Sequence, residues 1–207
     1  MTQLIAITGG IGSGKSAVCR ILTVLGLKVY DCDSRARLLM DSDPEIIRRI
    51  ASEVDTEAVC NGIIDRKRLA EVVFSNPDKL LRLNTIVHGA VHADIDRWVA
   101  ANAAQPVLFV ETAILLESNL DKKVDAVWKV EAPEDVRLDR AARRDNASAQ
   151  AIAARMSAQH DLSADDLPIP LEIIDNNVTT PLLPRIFRLL APYGITPSGG
   201  REWSPQI

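Results

Sequence analysis

Leu4-Ile5-Ala6-Ile7 is an unbroken apolar run that stops at Gly9-Gly10. A run of this kind reads as a strand buried on both faces, as in a parallel sheet. From Lys15 onward, Val18, Ile21, Leu22 and Leu25 recur at helical spacing, and Gly26 ends the pattern. The segment "LKVYDCD" then predicts a second strand with Asp31 and Asp33 at its end. A strand–loop–helix–strand unit favours a parallel sheet with a right-handed crossover. The second strand is expected beside the first, with both carboxylates at the carboxyl edge of the sheet. In an extended chain they face the same way. The other reading is that Asp31 or Ser34 caps a helix beginning near Arg35.

Residues 34–103 read as almost wholly helical, broken at Pro44, Asn61-Gly62 and Asn76-Pro77. So long a helical stretch between strands suggests an inserted, substrate-facing subdomain. "QPVLFVE" and "VDAVWKVEAP" predict two further strands, "PLEIIDNN" a last short one, and Pro181 to Leu190 a closing helix. Residues 134–160 are charged, alanine-rich and helical. The tail "YGITPSGGREWSPQI" is expected to be poorly ordered.

Composition adds boundaries. The 207 residues, 47% hydrophobic and 25% charged, suit one soluble α/β domain. A net charge of −4 gives no reason to expect nucleic acid or an anionic membrane as partner. Cys19, Cys32 and Cys60 are odd in number and lack metal-ligand spacing, which fits a reducing compartment. With neither a membrane-length apolar stretch nor a secretory pattern at the N-terminus, a cytoplasmic location is expected.

The candidate chemistry begins at "GGIGSGKS", residues 9–16. Gly9, Gly14, Lys15 and Ser16 satisfy G-x-x-x-x-G-K-S in the required strand-to-helix setting. Glycines there let successive N–H groups turn inward as an anion nest, and the helix N-terminus adds its positive end. The expected nucleotide contacts are Gly10, Ile11, Gly12, Ser13, Gly14, Lys15, Ser16 and Ala17, with Ser16 also a ligand to Mg²⁺. The dinucleotide fingerprint G-x-G-x-x-G fails, because Lys15 stands where a third glycine is needed.

A phosphate loop serves switches, motors and small-molecule kinases alike. No Asn-Lys-x-Asp guanine signature is present. Glu111 after "VLFV" could serve as a motor-type acid, but nothing else suggests a motor. A kinase needs a carboxylate beside the acceptor hydroxyl and arginines that close over the transferring group. Asp31 or Asp33 supplies the first. Arg137, Arg140 and Arg144, spaced i, i+3 and i+7, supply the second, with Arg143 alongside and Arg155 on a following helix, the shape of a lid hairpin.

Taken in order, "TGGIGSGKS", "DCD", "GIIDRKRLAEVVF", "LNTIVH", "LLE", "RAARRD", "RMSAQ" and "IIDNN" resemble the dephospho-CoA kinase family over roughly residues 3–190. That resemblance implies transfer of the ATP γ-phosphate to the 3′-hydroxyl of dephospho-CoA, the last step of coenzyme A synthesis. It implies Asp33 as general base, Lys15 and Arg140 stabilising the transferring group, and Asn176 on the adenine side. Thr8, Asp33, Arg66, His88 and Glu117 would meet the acceptor. This chain departs from the family pattern at His88-Gly89 (usually His-Pro), at Ala113 (usually Pro) and at Asn177-Val178 (Val178 replacing a common glycine). The expected architecture is a three-layer α/β/α domain of the P-loop NTPase type with a parallel sheet. Residues 1–33, 104–133 and 171–192 would form the nucleotide-binding core, 34–103 the helical substrate subdomain, 134–165 the lid and 193–207 a flexible tail. The expected partners are ATP, Mg²⁺ and dephospho-CoA, in a monomer or small homo-oligomer. A kinase for a nucleoside, nucleotide or other small alcohol is the nearest alternative. A nucleotide-binding regulatory switch is the alternative of another class.

Overall fold

The computed structural model describes residues 2–159 and 161–196. Five parallel strands form the central sheet: β1 (Gln3–Thr8), β2 (Val29–Asp31), β5 (Val107–Glu111), β6 (Ala126–Glu131) and β7 (Leu171–Asp175). Their order across the sheet is β2-β5-β1-β6-β7. The period of two in a strand sends alternate residues to opposite faces, and two cores result. Leu4, Ala6, Tyr30, Leu108 and Val110 join one; Ile5, Ile7, Val107, Phe109, Trp128 and Val130 join the other.

The second face is covered by α1 (Lys15–Val24) and α8 (Leu182–Leu190) through Val18, Leu22, Ile186 and Leu190. Against the first face lie α2 (Cys32–Ser42), α3 (Pro44–Glu53), α4 (Arg66–Phe74) and α5 (Pro77–Ala101). A helical hairpin, α6 (Glu134–Asp145) and α7 (Ala149–Ser157), stands over the glycine-rich loop; Ala141, Ile152 and Met156 close their own small core with Ile11 against it. The turn between them uses Asn146 in the left-handed region at φ 48° and Ser148 as N-cap of α7.

Three expectations change. First, β2 does not neighbour β1; β5 lies between them. Val107 to Val110 are fully buried, as a central strand requires, whereas the three-residue β2 ends in exposed Asp31 and takes the edge. Second, of the two readings of "DCD" the helix-capping one holds, with the helix starting at Cys32, earlier than the expected Arg35. The Asp31 side chain accepts from Ser34 N at 3.0 Å and from Ser34 Oγ at 2.6 Å, so Asp31 caps α2 and Asp33 falls in its first turn. Third, the helical region contains a two-stranded hairpin, β3 (Val59–Cys60) and β4 (Ile63–Ile64). Asn61 and Gly62, both at positive φ (51° and 77°), make the tight turn that right-twisted strands favour.

Of the tail, residues 197–207 lie outside the described residues. Its beginning is held: Ala191–Tyr193 form a 3₁₀ turn, and Tyr193 Oη donates to Gln3 Oε1 at 2.8 Å. The cysteines form no disulfide, and Cys19 and Cys32 are buried. Among the described residues, no helix is long and apolar enough to cross a membrane.

Candidate active site

The glycine-rich loop joins β1 to α1 at the carboxyl edge of the sheet, where open parallel sheets bind ligands. Gly12 and Gly14 sit at positive φ (76° and 95°), and the space for a side chain is already filled. A Cβ on Gly12 would strike the Arg137 backbone, and one on Gly14 the Asn176 amide. Glycine is therefore required at both positions for conformation and for room. Lys15 folds back over the loop, its Nζ donating to Gly9 O at 2.6 Å. Burial lowers the Lys15 pKa, while the charges of Glu111 and Asp33 act in the opposite direction. Ser16 Oγ donates to Glu111 Oε1 at 3.0 Å. Ala17 opens the exposed side of α1, and Ser13 Oγ is buried in the loop without a hydrogen-bond partner among the described residues.

The α6–α7 hairpin grips this loop. Arg137 Nε donates to Ile11 O at 3.0 Å, and its guanidinium packs on Gly10. Arg140 donates to Asn176 O at 3.1 Å, and Asn176 Nδ2 donates to Ser13 O at 2.7 Å. Arg144 lies near enough to Lys15 to depress its pKa, while its own guanidinium pairs with Asp145 at 2.7 Å. Arg155 from α7 reaches the same carboxylate at 2.8 Å. The helical period thus turns Arg137, Arg140 and Arg144 toward the loop. Arg143 faces outward, paired with Asp139. Below α7, Gln159 Oε1 accepts from Ile11 N at 2.7 Å, and Asp161 pairs with buried Lys129 at 2.7 Å.

Beside the loop lies a cleft made of three recesses. Asp33, at its exposed rim, borders a cavity of about 90 Å³ whose walls include Val87, His88, His92, Thr112 and Leu120. His88 continues into a neighbouring groove with Glu117 and Ser118, and Glu117 into a third recess with Thr8, Lys129 and Gln159. Burial holds the His88 pKa below its ordinary value, and His92 pushes the same way against Glu117. An ion-pair network around the buried Asp94 fixes the two helices that form this cleft. Tyr30 Oη donates to Asp94 at 2.7 Å, Arg35 approaches the same carboxylate at 2.6 Å and Arg97 at 3.1 Å, so β2 and α2 are locked to α5.

A family model described as dephospho-CoA kinase matches residues 3–181. The chain belongs to the dephospho-CoA kinase family. It is 42% identical over 155 residues to a dephospho-CoA kinase of Porphyromonas gingivalis, covering 75% of this chain and 76% of that one. To one of Bacteroides fragilis it is 34% identical over 191 residues, 92% and 93% of the two chains. Among solved structures, a Thermus thermophilus protein superposes with a TM-score of 0.73 at 30% identity, covering 92% of this chain and 95% of that one. Dephospho-CoA kinase from Campylobacter jejuni gives 0.67 at 25% identity, with 92% and 96% covered. The family reaction is ATP-dependent phosphorylation of dephospho-CoA, the final step of coenzyme A synthesis.

Of the residues expected at a dephospho-CoA kinase site, the loop residues, Lys15, Ser16, Arg140 and Asn176 converge on one nest. Thr8, Asp33, His88 and Glu117 line the connected recesses beside it. Arg66 is apart. It pairs with Asp41 at 2.7 Å, near the opposite end of α2 from Asp33, some 12 Å away at about 1.5 Å of rise per residue. Asn176 has its amide committed to Ser13, so it props the loop. Glu111, Gln159 and His92 were not among the expected contacts. The spacing of His92 four residues after His88 was the one signal in the sequence for it.

Proposed function

We propose that the chain carries out its family's reaction with Asp33 as the general base for the acceptor's 3′-hydroxyl. The reading rests chiefly on one observation: Asp33 borders the cavity, and its charge is felt at the ammonium of Lys15. A hydroxyl in the cavity would then meet a carboxylate that also neighbours the phosphate nest. Asp33 would orient that hydroxyl and take its proton. The nest and Lys15 would hold the β- and γ-phosphates, and Arg140 and Arg144 would neutralise charge growing on the phosphoryl oxygens. Because the transition state is loose, placement and charge outweigh base strength.

Ser16 Oγ and the Glu111 carboxylate, 3.0 Å apart at the foot of the loop, are the hard oxygen donors that Mg²⁺ accepts. These two residues would hold it, Ser16 directly. When bound, the ion draws charge from the β- and γ-phosphates. The reaction would take place in the cytoplasm, in a monomer or small homo-oligomer.

A coupled ADP-release assay across acceptors tests the proposal. Dephospho-CoA should stimulate ADP release by orders of magnitude over ATP alone, and free nucleosides much less. No stimulation by dephospho-CoA would sink it.

A further inference from the structure

The cavity that Asp33 borders does not end at His88. His88, His92, Ile114 and Ser118 line it and also line a longer, open groove that continues from it. One wall of the groove is a single face of α5. Leu81, Asn84, Thr85, His88, Gly89 and His92 recur there at spacings of three and four, as one side of a helix requires. At about 1.5 Å of rise per residue the row is roughly 16 Å long. Residues 114–119, in the segment after β5, supply the facing wall. The groove encloses about 690 Å³ against about 90 Å³ for the cavity.

The surface of the groove selects the kind of ligand. Leu81 is 67% exposed and Ile114 39%, apolar surface that nothing among the described residues covers. The hydroxyls of Thr85 and Ser118 are spent on Leu81 O at 2.8 Å and Ile114 O at 2.7 Å. The exposed Asn84 carboxamide, by contrast, makes no hydrogen bond among the described residues. Gly89 leaves the wall open, since a Cβ there would meet nothing within 4 Å. Glycine weakens a helix interior relative to alanine, and neither crowding nor a positive φ calls for it here. What its missing side chain provides is depth. A long, thin and mostly apolar chain carrying amide groups fits this groove.

We propose that the groove receives the pantetheine arm of dephospho-CoA. The nucleotide end lies in the cavity at Asp33, and the terminal thiol points toward Leu81. From its phosphate oxygen to its sulfur the arm is a chain of about twelve bonds. At the ~1.2 Å per bond of an extended amide chain this is about 15 Å, which matches the row on α5. Its methylenes and paired methyl groups meet Leu81 and Ile114, and the Asn84 carboxamide offers a donor and an acceptor to its amides. The arm passes over Gly89. This inference rests on dephospho-CoA being the acceptor and on its 3′-hydroxyl meeting Asp33.

The test compares dephospho-CoA with adenosine 5′-phosphate, which has the same ribose and base but no arm, in the wild type, Gly89→Phe and Asn84→Ala. Gly89→Phe fills the groove from a position with free space around it. It should raise KM for dephospho-CoA about tenfold and leave KM for ATP unchanged. The preference for dephospho-CoA over adenosine 5′-phosphate in kcat/KM should shrink by a similar factor, because the arm's binding energy is lost. Asn84→Ala should raise KM for dephospho-CoA about three- to fivefold and spare the armless acceptor. A second measurement stands even if Gly89→Phe fails to fold. The disulfide form of dephospho-CoA is offered to Leu81→Cys and to Val24→Cys, a variant at an exposed position on α1 outside the groove. The introduced thiolate attacks the disulfide, forms a mixed disulfide and releases one dephospho-CoA thiolate. Capture in Leu81→Cys should be at least about tenfold faster, with peptide mass spectrometry separating the adduct from any at exposed Cys60. Equal losses for both acceptors in Gly89→Phe, or equal capture rates in the two cysteine variants, would overturn the assignment of the groove. Failure of the wild type to phosphorylate dephospho-CoA at all would instead remove the acceptor on which it rests.

Discussion

Eight consecutive residues, Gly9 to Ser16, make the phosphate nest. The acceptor cavity, by contrast, takes Asp33 from α2, His88 and His92 from α5, and Thr112 and Ser118 from the segment after β5. The nest is polar, built largely from main-chain groups and held from outside by Arg137, Asn176 and Gln159. The cavity is apolar, and its geometry depends on how two helices pack. A ligand common to many reactions can be bound by a fixed stretch of backbone, while a particular acceptor has to be recognised by side chains brought together by the fold. Damage to the nest should therefore abolish turnover with any acceptor, and damage to the cavity should depend on which acceptor is offered.

The largest effect should come from Lys15→Ala. Removing the ammonium proposed to hold the transferring phosphate should cut kcat by a factor of about 10³ or more, whatever the acceptor. The fold should survive, because among the described residues the Lys15 ammonium hydrogen-bonds loop carbonyls alone, and thermal melts should move by a few degrees at most. A loss smaller than tenfold in the ADP-release assay would mean that the nest works without its lysine. Asp33→Asn follows, with a loss of about 10²–10⁴ in kcat and little change in KM for ATP. A near-normal rate would take the base role from Asp33. Asp31 would be next in line, although its side chain is already committed to Ser34.

The third test separates packing from chemistry. Asp94 is buried under Tyr30, Arg35 and Arg97, and its removal leaves Arg35 without its partner. Asp94→Ala should destabilise the fold by about 1–2 kcal/mol, chiefly by leaving the buried Tyr30 hydroxyl unpaired while the partly exposed Arg35 and Arg97 turn to water, and should raise KM for dephospho-CoA more than KM for ATP. The pH dependence has a definite sign. Burial alone would raise the Asp94 pKa, but Tyr30, Arg35 and Arg97 outweigh it, and the folded value lies below the ordinary 3.8. Its contribution is therefore complete above that ordinary value and drains away as pH falls through the lowered one. The gap in Tm between wild type and Asp94→Ala should be widest near pH 7 and close progressively below about pH 4. A gap that stays constant across that range would show that the carboxylate's charge contributes nothing.

The same contrast explains which features could be read from the sequence. The nest was legible because its residues are consecutive and each has a separate reason for its identity. The lid face was legible because a helical period alone sends Arg137, Arg140 and Arg144 one way. The position of β2 beside β5 was not, because neighbouring strands in this sheet are distant in sequence, and β2 has only three residues. Nor did the pattern show that Asp31 would end the strand; an aspartate at a strand end and one at a helix cap look alike until Ser34 N is seen to bond it. His92 was missed for a related reason. A histidine on a long helix is ordinary, and the burial of its Nε2 shows only in the folded chain.

The smallest effect should come from Gln159, and it bears on whether the nest is complete without the lid. Main-chain N–H groups of such a loop normally turn toward phosphate, yet Ile11 N is spent on Gln159 Oε1 at 2.7 Å. Two residues on, Asp161 is pinned to Lys129, so the chain leaving α7 is fixed to the core at both points. If that contact only holds the loop in shape, Gln159→Ala should cost a neutral hydrogen bond, a two- to fivefold rise in KM for ATP at about 0.5–1 kcal/mol, with kcat nearly unchanged. Gln159→Glu keeps the acceptor and nearly the same shape, but adds a negative charge where phosphates are to bind. It should raise KM for ATP by roughly tenfold and lose part of that effect in high salt. Equal KM values for the two variants, insensitive to salt, would place Gln159 outside the reach of the bound phosphates and confine the nest to Gly9 to Ser16.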